Sequence, residues 1–561
     1  MPDQPETDRD KAPTNNLSSY AGRWVALLGE RVVGQGGTPD QAFKAAQADR
    51  FKEIPRIIFI PSDHPVMFPD ILERVVASLP SDMPVYLVGG AVRDALLGRA
   101  SHDLDFILPG EAIPLGRSLA RTLGAAFYPL DEERDTARLF LKQPDGNRYT
   151  LDFARLRGPD LESDLRARDF TINAMAVEVR KPMELLDPLG GDTDLRSRHL
   201  RACSPTSLSD DPIRILRAVR QAAVLNFHIL PETRSLMRQA ISLLPNVSPE
   251  RLRDELFRIL DGPRPDTSMR ALDILGALPF ILPELTELKG VEQPPPHIAD
   301  VWQHTLDVLN KLDGILDVLD LQNNPDKAAN LNMGLVAIRL GRYRQPLSKH
   351  LEISLNVDRP IRPLLFLAAL YHDVSKPQTR KVDDQGRIRF LGHAQMGAEI
   401  ITDRARLLKL SNPEINRLYI IVRHHLRPLL LGNLERAPSR RAIYRFFRDT
   451  GEAGVDICLL SLADVLATYG TTLPQNVWNK YLDIIRILLE AWWEHPEERV
   501  SPPIVLNGDD LITRFNLAPG PRIGQLLEAV REAQVTGQIK SREEAFLFVK
   551  KYLTQKDESG L

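Results

Sequence analysis

The stretch Val85-Tyr86-Leu87-Val88-Gly89-Gly90-Ala91-Val92-Arg93-Asp94-Ala95-Leu96-Leu97, followed by Asp103-Leu104-Asp105-Phe106, decides the fold of this 561-residue chain. Residues 85–88 read as a buried strand, Gly89 and Gly90 as a tight turn, and residues 91–97 as the opening of a helix. Such a turn aims backbone N–H groups at an incoming phosphate, and the helix N-terminus adds partial positive charge. Asp103 and Asp105 stand two apart on a second apolar strand, so both carboxylates project from one face, roughly 6.5 Å apart. Paired hard oxygen ligands beside a phosphate cradle are what Mg²⁺-assisted phosphoryl transfer requires. A Gly-Gly turn or an Asp-x-Asp alone carries little weight, but both occur here within one βαβ-sized unit. Residues 149–153 read as a further short strand with Asp152 as its only acid, a third carboxylate of the kind that activates an attacking hydroxyl.

Five motifs follow one another in order: Gly89-Gly90-Ala91-Val92-Arg93-Asp94, Asp103-x-Asp105, Arg168-Asp169-Phe170-Thr171-Ile172-Asn173, Asp187-Pro188-Leu189-Gly190-Gly191, and Asp210-Asp211-Pro212-Ile213-Arg214-Ile215-Leu216-Arg217. Together they resemble the bacterial-type (class II) tRNA nucleotidyltransferases and the related poly(A) polymerases. The resemblance implies that Asp103 and Asp105 hold Mg²⁺ and that, with Asp152, they form the catalytic set. It implies that Gly89, Gly90, Arg93, Arg168, Asp169, Asn173 and Arg217 bind the nucleotide. An Arg suits that role because its planar fork binds phosphate in bidentate fashion and stays charged. Asp211 and Arg214 match the pair that reads the base. At i and i+3 on a helix they would share one face and offer an acceptor and a forked donor together. The implied partners are tRNA, CTP and ATP, with no DNA and no membrane.

Two departures from the family pattern stand out. Asp210 replaces the more usual Glu, a shorter side chain that weakens the case for its family role. Only 15 residues separate Asp152 from Arg168, whereas members that build the complete C-C-A end usually carry a longer Gly- and Arg-containing loop there. The shortened loop leads to the expectation that this chain adds C-C efficiently and the terminal A poorly or not at all.

Beyond residue 296 the histidines are spaced suggestively. His372-Asp373 closes an apolar run, His304, His393, His424 and His425 fall on other helices, and Asp464 lies inside an apolar segment. Imidazoles and carboxylates converging from several helices make a site for one or two divalent transition metals. The order resembles the HD phosphohydrolase superfamily. That resemblance implies a core of His304, His372, Asp373 and Asp464, extended by His393 and His424, with His425 the lesser choice. The metal would be Mn, Ni, Co or Fe, and Lys376 would face a substrate phosphate.

Size and composition agree with an ordinary multidomain globular protein, at 43% hydrophobic and 26% charged residues. No uninterrupted apolar run approaches the ~20 residues of a membrane span. The polar start is not a signal peptide, and two cysteines fit a reducing cytoplasm. Residues 196–258 carry eleven Arg and no Lys against six acids, a stretch suited to gripping an RNA backbone. The fold class expected is multidomain α/β plus α. Its parts are a disordered tail (1–18), a small ββαβ module (19–62), an α/β nucleotidyltransferase head (70–195) and a helical neck and body (196–290). A helical HD domain (297–472) and a helical tail (473–561) complete the chain. Gly290-Val-Glu-Gln-Pro-Pro-Pro296 reads as the clearest boundary. Two other functions fit the same motifs: a poly(A) polymerase, or an HD phosphohydrolase whose head only binds RNA.

Overall fold

The computed structural model describes residues 17–20, 23–29, 31–36, 39–48, 55–60, 68–81, 83–143, 146–181, 184–322, 330–357, 359–432 and 437–558. Most of the expected disordered tail lies outside them. The chain divides into two compact units, Met1–Leu243 and Leu244–Leu561.

The first unit opens with a three-stranded antiparallel sheet of β1 (Arg23–Leu28), β2 (Arg31–Gly36) and β3 (Arg56–Ile60), with β1 central and helix α1 (Pro39–Ala48) packed on it. Val25, Ala26, Val33, Ala42 and Ala46 close this small core. Two polar links fasten the module to the Asp187–Asp192 segment of the same unit: Arg23 pairs with Asp192, and the Gln41 amide donates to the Asp187 carbonyl.

After helix α2 (Ile71–Ser78) come strand β4 (Tyr86–Val88), helix α3 (Gly90–Leu96), strand β5 (Asp103–Leu108) and helix α4 (Ala112–Leu123). Strands β6 (Ala126–Asp131), β7 (Thr136–Lys142) and β8 (Arg148–Arg155), helix α5 (Leu161–Arg166), and short strands β9 (Ala176–Glu178) and β10 (Leu185–Leu186) complete a seven-stranded mixed sheet. Its order is β10-β9-β4-β5-β8-β7-β6, with β5 and β8 the parallel pair. Alternation sorts the two faces. Leu104, Phe106, Ala137, Leu139, Leu141, Leu151 and Phe153 are buried on the face that receives α4. The opposite face of β5, β8 and β7 carries Asp103, Asp105, Asp152, Arg138 and Thr150. The sheet is therefore apolar on one side and chemically equipped on the other. Helix α6 (Gly191–Arg196), the short helix α7 (Ser207–Asp210) and helix α8 (Arg214–Leu225) lead out of the head.

The second unit is helical. Val301–Leu319, Ile361–Tyr371 and Ala453–Tyr469 are mutually packed, and the latter two are almost wholly buried. The segment around Ala453–Thr472 is long and apolar enough to cross a membrane, and 89% of it is buried inside the protein, as befits a core helix. The compact units do not part at the expected Pro-rich boundary. The segment after residue 289 is tied to the helices before it, the Trp302 indole N–H donating to Asp273 Oδ2 (3.1 Å). Near the end, Gly508–Phe515, Pro521–Val535 and Arg542–Glu558 enclose a core of their own around Leu511, Leu526, Val530 and Val549.

Candidate active site and candidate metal centre

In the head, β4 delivers the chain into Gly89, whose φ of +73° and ψ of −136° suit glycine alone. A Cβ there would stand 3.2 Å from Asp105 Oδ2 and 3.4 Å from Arg168 Nη1. The missing side chain thus leaves a cleft between a carboxylate and a guanidinium. Asp105 and Asp152 are directly paired across the parallel strands, and Asp103 sits one same-face position along β5. Asp105 opens onto the cleft but is enclosed by protein on its other sides. That enclosure pushes its pKa up to about 6; Arg168 and Arg138 pull against it, while Asp152 and Asp103 add to it. A carboxylate crowded in this way is stabilised by a cation.

Sequence reasoning missed Arg138. Its Nε and Nη2 donate to the two oxygens of Asp152 at 2.8 and 2.7 Å. Arg138 and Asp152 are register partners on β7 and β8, a pairing that becomes legible once the hairpin is known. Hard oxygen donors on one face fit Mg²⁺. Among the described residues, however, the head carboxylates do not bring three ligand atoms within 4.8 Å of one another. Both oxygens of Asp152 are already engaged by Arg138.

The residues expected around the nucleotide form one network. Arg93 holds Asp94 in bidentate fashion and donates to Asn173 Oδ1 at 2.7 Å. The Asn173 amide donates to Asp169 Oδ1 (3.0 Å) and Gln221 Oε1 (3.1 Å), and Arg217 reaches Asp169 Oδ2 (3.2 Å). Asp169 is fully enclosed; burial works to raise its pKa, yet Arg217 and Asn173 hold it below the ordinary carboxylate value. Arg168 is steadied by Asp164, which also accepts from the Arg157 N–H.

Asp211 and Arg214 do not share a helical face as expected. Asp211 is extended (φ −147°, ψ 93°) at the end of α7, ahead of Pro212, and Arg214 opens α8. The residue before proline is driven away from helical geometry, which accounts for the break. The Arg214 fork is buried and donates to the carbonyls of Arg168, Ala167 and Ser207, while its Nε lies 3.9 Å from Asp211 Oδ2. In this conformation Arg214 props the Arg168 loop, with only the Nε side directed at Asp211.

In the helical unit, His304, His372 and Asp373 form one buried cluster, and Asp373, His393 and His425 a second that shares Asp373. Asp373 Oδ2 lies 3.1 Å from His372 Nε2 and 3.7 Å from His304 Nε2, while Asp373 Oδ1 lies 3.4 Å from His393 Nε2 and 3.9 Å from His425 Nε2. Asp464 lies 3.2 Å from His304 Nε2. The Nδ1 atoms of His372, His393 and His425 each sit 2.7 Å from the carbonyl three residues earlier. That bond fixes the tautomer and leaves Nε2 as a lone pair. The Nε2 atoms of His304, His372, His393 and His425 are buried with no hydrogen-bond partner. Orphaned imidazole nitrogens around a shared carboxylate fit a divalent transition metal. Burial works against charging Asp373, but the Lys376 ammonium, 2.6 Å from its Oδ2, holds it well below the usual carboxylate range.

His424 is not part of this cluster, contrary to expectation. Adjacent helical residues diverge by about 100°, and it is His425 that continues the buried stripe of Leu418, Ile421 and Val422. That helical spacing, with Leu418 and Ile421 three and four residues ahead of Ile421 and His425, is visible in the sequence. His297 was also missed: it lies 5.3 Å, ring to ring, from His304 and lines a cavity of about 570 Å³ with Asp373, Lys376, His393 and His425.

Comparison with known proteins agrees with this architecture. Residues 85–201 match the poly A polymerase head domain, residues 226–289 the probable RNA and SrmB-binding site of polymerase A, residues 331–468 the HD domain, and residues 500–549 a tRNA nucleotidyltransferase domain 2. Residues 16–63 match a family of unknown function, and His304 precedes the HD match. An A-adding tRNA nucleotidyltransferase of Deinococcus radiodurans is 35% identical, over 83% of this chain and 95% of its own. A CC-adding tRNA nucleotidyltransferase of Thermus thermophilus is 32% identical over the same shares. A solved CCA-adding enzyme in apo form I shares the fold at a TM-score of 0.54 and 22% identity, covering 85% of this chain and 92% of that one. The chain belongs to the bacterial-type tRNA nucleotidyltransferases, of the branch that carries an HD domain.

Proposed function

We propose that the head transfers CMP from CTP to the 3′ end of tRNA, building the C-C part of the CCA terminus. The RNA 3′-hydroxyl attacks the α-phosphate and pyrophosphate leaves. Asp103 and Asp105 would hold Mg²⁺, which when bound supplies charge stabilisation at the reacting phosphate. Gly89 leaves room for the phosphates, Arg168 faces them as a fixed cation, and Asp152, oriented by Arg138, stands at the third carboxylate position.

The observation that carries the C-C reading is the segment between β8 and Arg168. Only residues 156–160 separate β8 from α5. The Asp160 side chain accepts from the Ser163 N–H and Oγ, and Asp164 ties the Arg157 N–H to Arg168. A short segment fastened at both ends offers little to reshape a pocket from C to A. A second reading, A addition alone, is favoured by the 35% identity to the Deinococcus enzyme. Poly(A) synthesis draws support from the head-domain match, but both of the near-full-length relatives named above are tRNA enzymes. Extension assays with CTP alone, ATP alone and both, on tRNA lacking its 3′ end and on tRNA ending in C-C, separate these readings. C-C ends with no further A are expected; complete C-C-A ends, or A added only to C-C ends, would replace the proposal.

The HD centre would bind one or two divalent transition-metal ions through His304, His372, Asp373, His393, His425 and Asp464, and hydrolyse a phosphate ester. Its cavity and Lys376 support a phosphate-bearing substrate, and the unpaired Cys203 and Cys458 suit a reducing cytoplasm. Assaying a His372→Ala/Asp373→Ala variant on cyclic-phosphate-ended RNA tests the activity. Turnover equal to wild type would remove this site as its source.

A further inference from the structure

The face of the head sheet that bears the carboxylates continues, uncovered, to the edge strand. Two rows of cross-strand partners run along it. One is Asp105–Asp152–Arg138–Tyr128, the other Asp103–Thr150–Phe140–Ala126. Each row starts at an acid and crosses to β7 and β6, where Tyr128 and Phe140 meet edge to face with centroids 5.8 Å apart. Tyr128 is 55% and Phe140 46% exposed, on the side of the sheet that α4 does not cover. Lys142 and Arg148, also register partners and exposed, lie on this face. Nothing in the fold requires two aromatic rings there, because the core of the sheet is on the opposite side.

We propose that Tyr128 and Phe140 form a stacking platform for the last unpaired bases of the acceptor RNA; this rests on the nucleotidyl-transfer reading above. Aromatic rings beside cations are how proteins track single-stranded nucleic acid without reading its sequence. The distances agree. Two strand steps separate Asp152 from Tyr128, about 10 Å, which is the height of about three stacked bases. The cleft also has two approaches. Gly89 and Arg168 border it from the β4 side, where the triphosphate would enter, whereas Tyr128 and Phe140 lie on the β8 side. An acceptor strand arriving over β6 and β7 would bring its terminal hydroxyl to Asp152 and Asp105 from the side opposite the incoming nucleotide.

The test compares wild type with Tyr128→Ala, Phe140→Ala and the double variant, measuring KM for tRNA lacking its 3′ end and KM for CTP separately. Each alanine should raise the RNA KM about tenfold with the CTP KM unchanged, and Tyr128→Phe should restore it. An acceptor carrying 2-aminopurine within its last three unpaired bases should be quenched on wild type and regain fluorescence on the double variant. RNA KM and quenching equal to wild type would overturn the platform. So would a change of oligomeric state at unaltered RNA KM, the mark of a second copy pairing along the β6 edge. Failure of the wild-type protein to incorporate any nucleotide would instead refute the nucleotidyl-transfer reading itself.

Discussion

Arg138 Nε and Nη2 grip the two oxygens of Asp152 at 2.8 and 2.7 Å, across paired positions of β7 and β8. This fork fixes which way the third carboxylate faces, so under the proposed function Arg138 is a positioning residue that would act through Asp152. Replacing Arg138 with Leu should lower kcat by about 100-fold, the scale of an ångström-level misplacement, while the CTP KM stays within about twofold. Steady-state kinetics of CMP incorporation checks this split. A rise in KM at constant kcat would assign Arg138 to binding instead.

Gly89 tests the phosphate cradle. Alanine there must accept a φ of +73° and place its Cβ against Asp105 and Arg168. The backbone strain alone is about 1–3 kcal/mol. Gly89→Ala should therefore lower kcat/KM for CTP by at least tenfold, and the thermal unfolding midpoint should fall by the few degrees that this strain implies. Wild-type kcat/KM would remove the cradle from the mechanism.

The metal centre gives a contrast between neighbours. His425→Ala should lose bound transition metal, measured by elemental analysis of the purified protein. His424→Ala should retain it, because His424 lies outside the cluster. Equal metal content in both variants would contradict the ligand set.

A buried charge triad away from either site should contribute to acid stability. Asp456 accepts from Arg417 Nε (2.5 Å) and lies 2.8 Å from His350 Nε2. Burial works to raise the Asp456 pKa, but Arg417 and His350 hold it below the ordinary value. A depressed folded-state pKa contributes stability that is present above the unfolded value of about 3.9 and lost as pH falls through the folded one. Asp456→Asn leaves buried Arg417 with only the half-exposed Glu452, 3.6 Å away, as a counter-charge, and should destabilise the protein by about 3 kcal/mol at neutral pH. The gap between wild type and variant should narrow below about pH 4. Denaturant unfolding across pH measures it, and a gap independent of pH would show that Asp456 is not charged in the fold.

The sequence was most legible where the signal was local. The strand–Gly-Gly–helix turn and the Asp-x-Asp follow from alternation and backbone conformation, and the structure places both within a residue of the expected bounds. The small module before the head was readable for the same reason. Errors arose where an answer depended on direction or on distant pairing. Asp211 and Arg214 stand at helical spacing, but Pro212 between them signals the break that the structure shows. Residue type and order point to His424, whereas the buried stripe of its helix points to His425. Arg138 could not be found from sequence alone, since its role arises from a hairpin register that brings it opposite Asp152.

Under the proposed function the carboxylates of β5 carry nucleotidyl transfer. The most direct measurement is CMP incorporation into tRNA lacking its 3′ end, at saturating CTP and Mg²⁺, by wild type, Asp103→Ala and Asp105→Asn. Incorporation by wild type and loss by at least 1,000-fold in both variants are expected, with folding and metal content of the HD centre unchanged. Incorporation at the wild-type rate by either variant would contradict it.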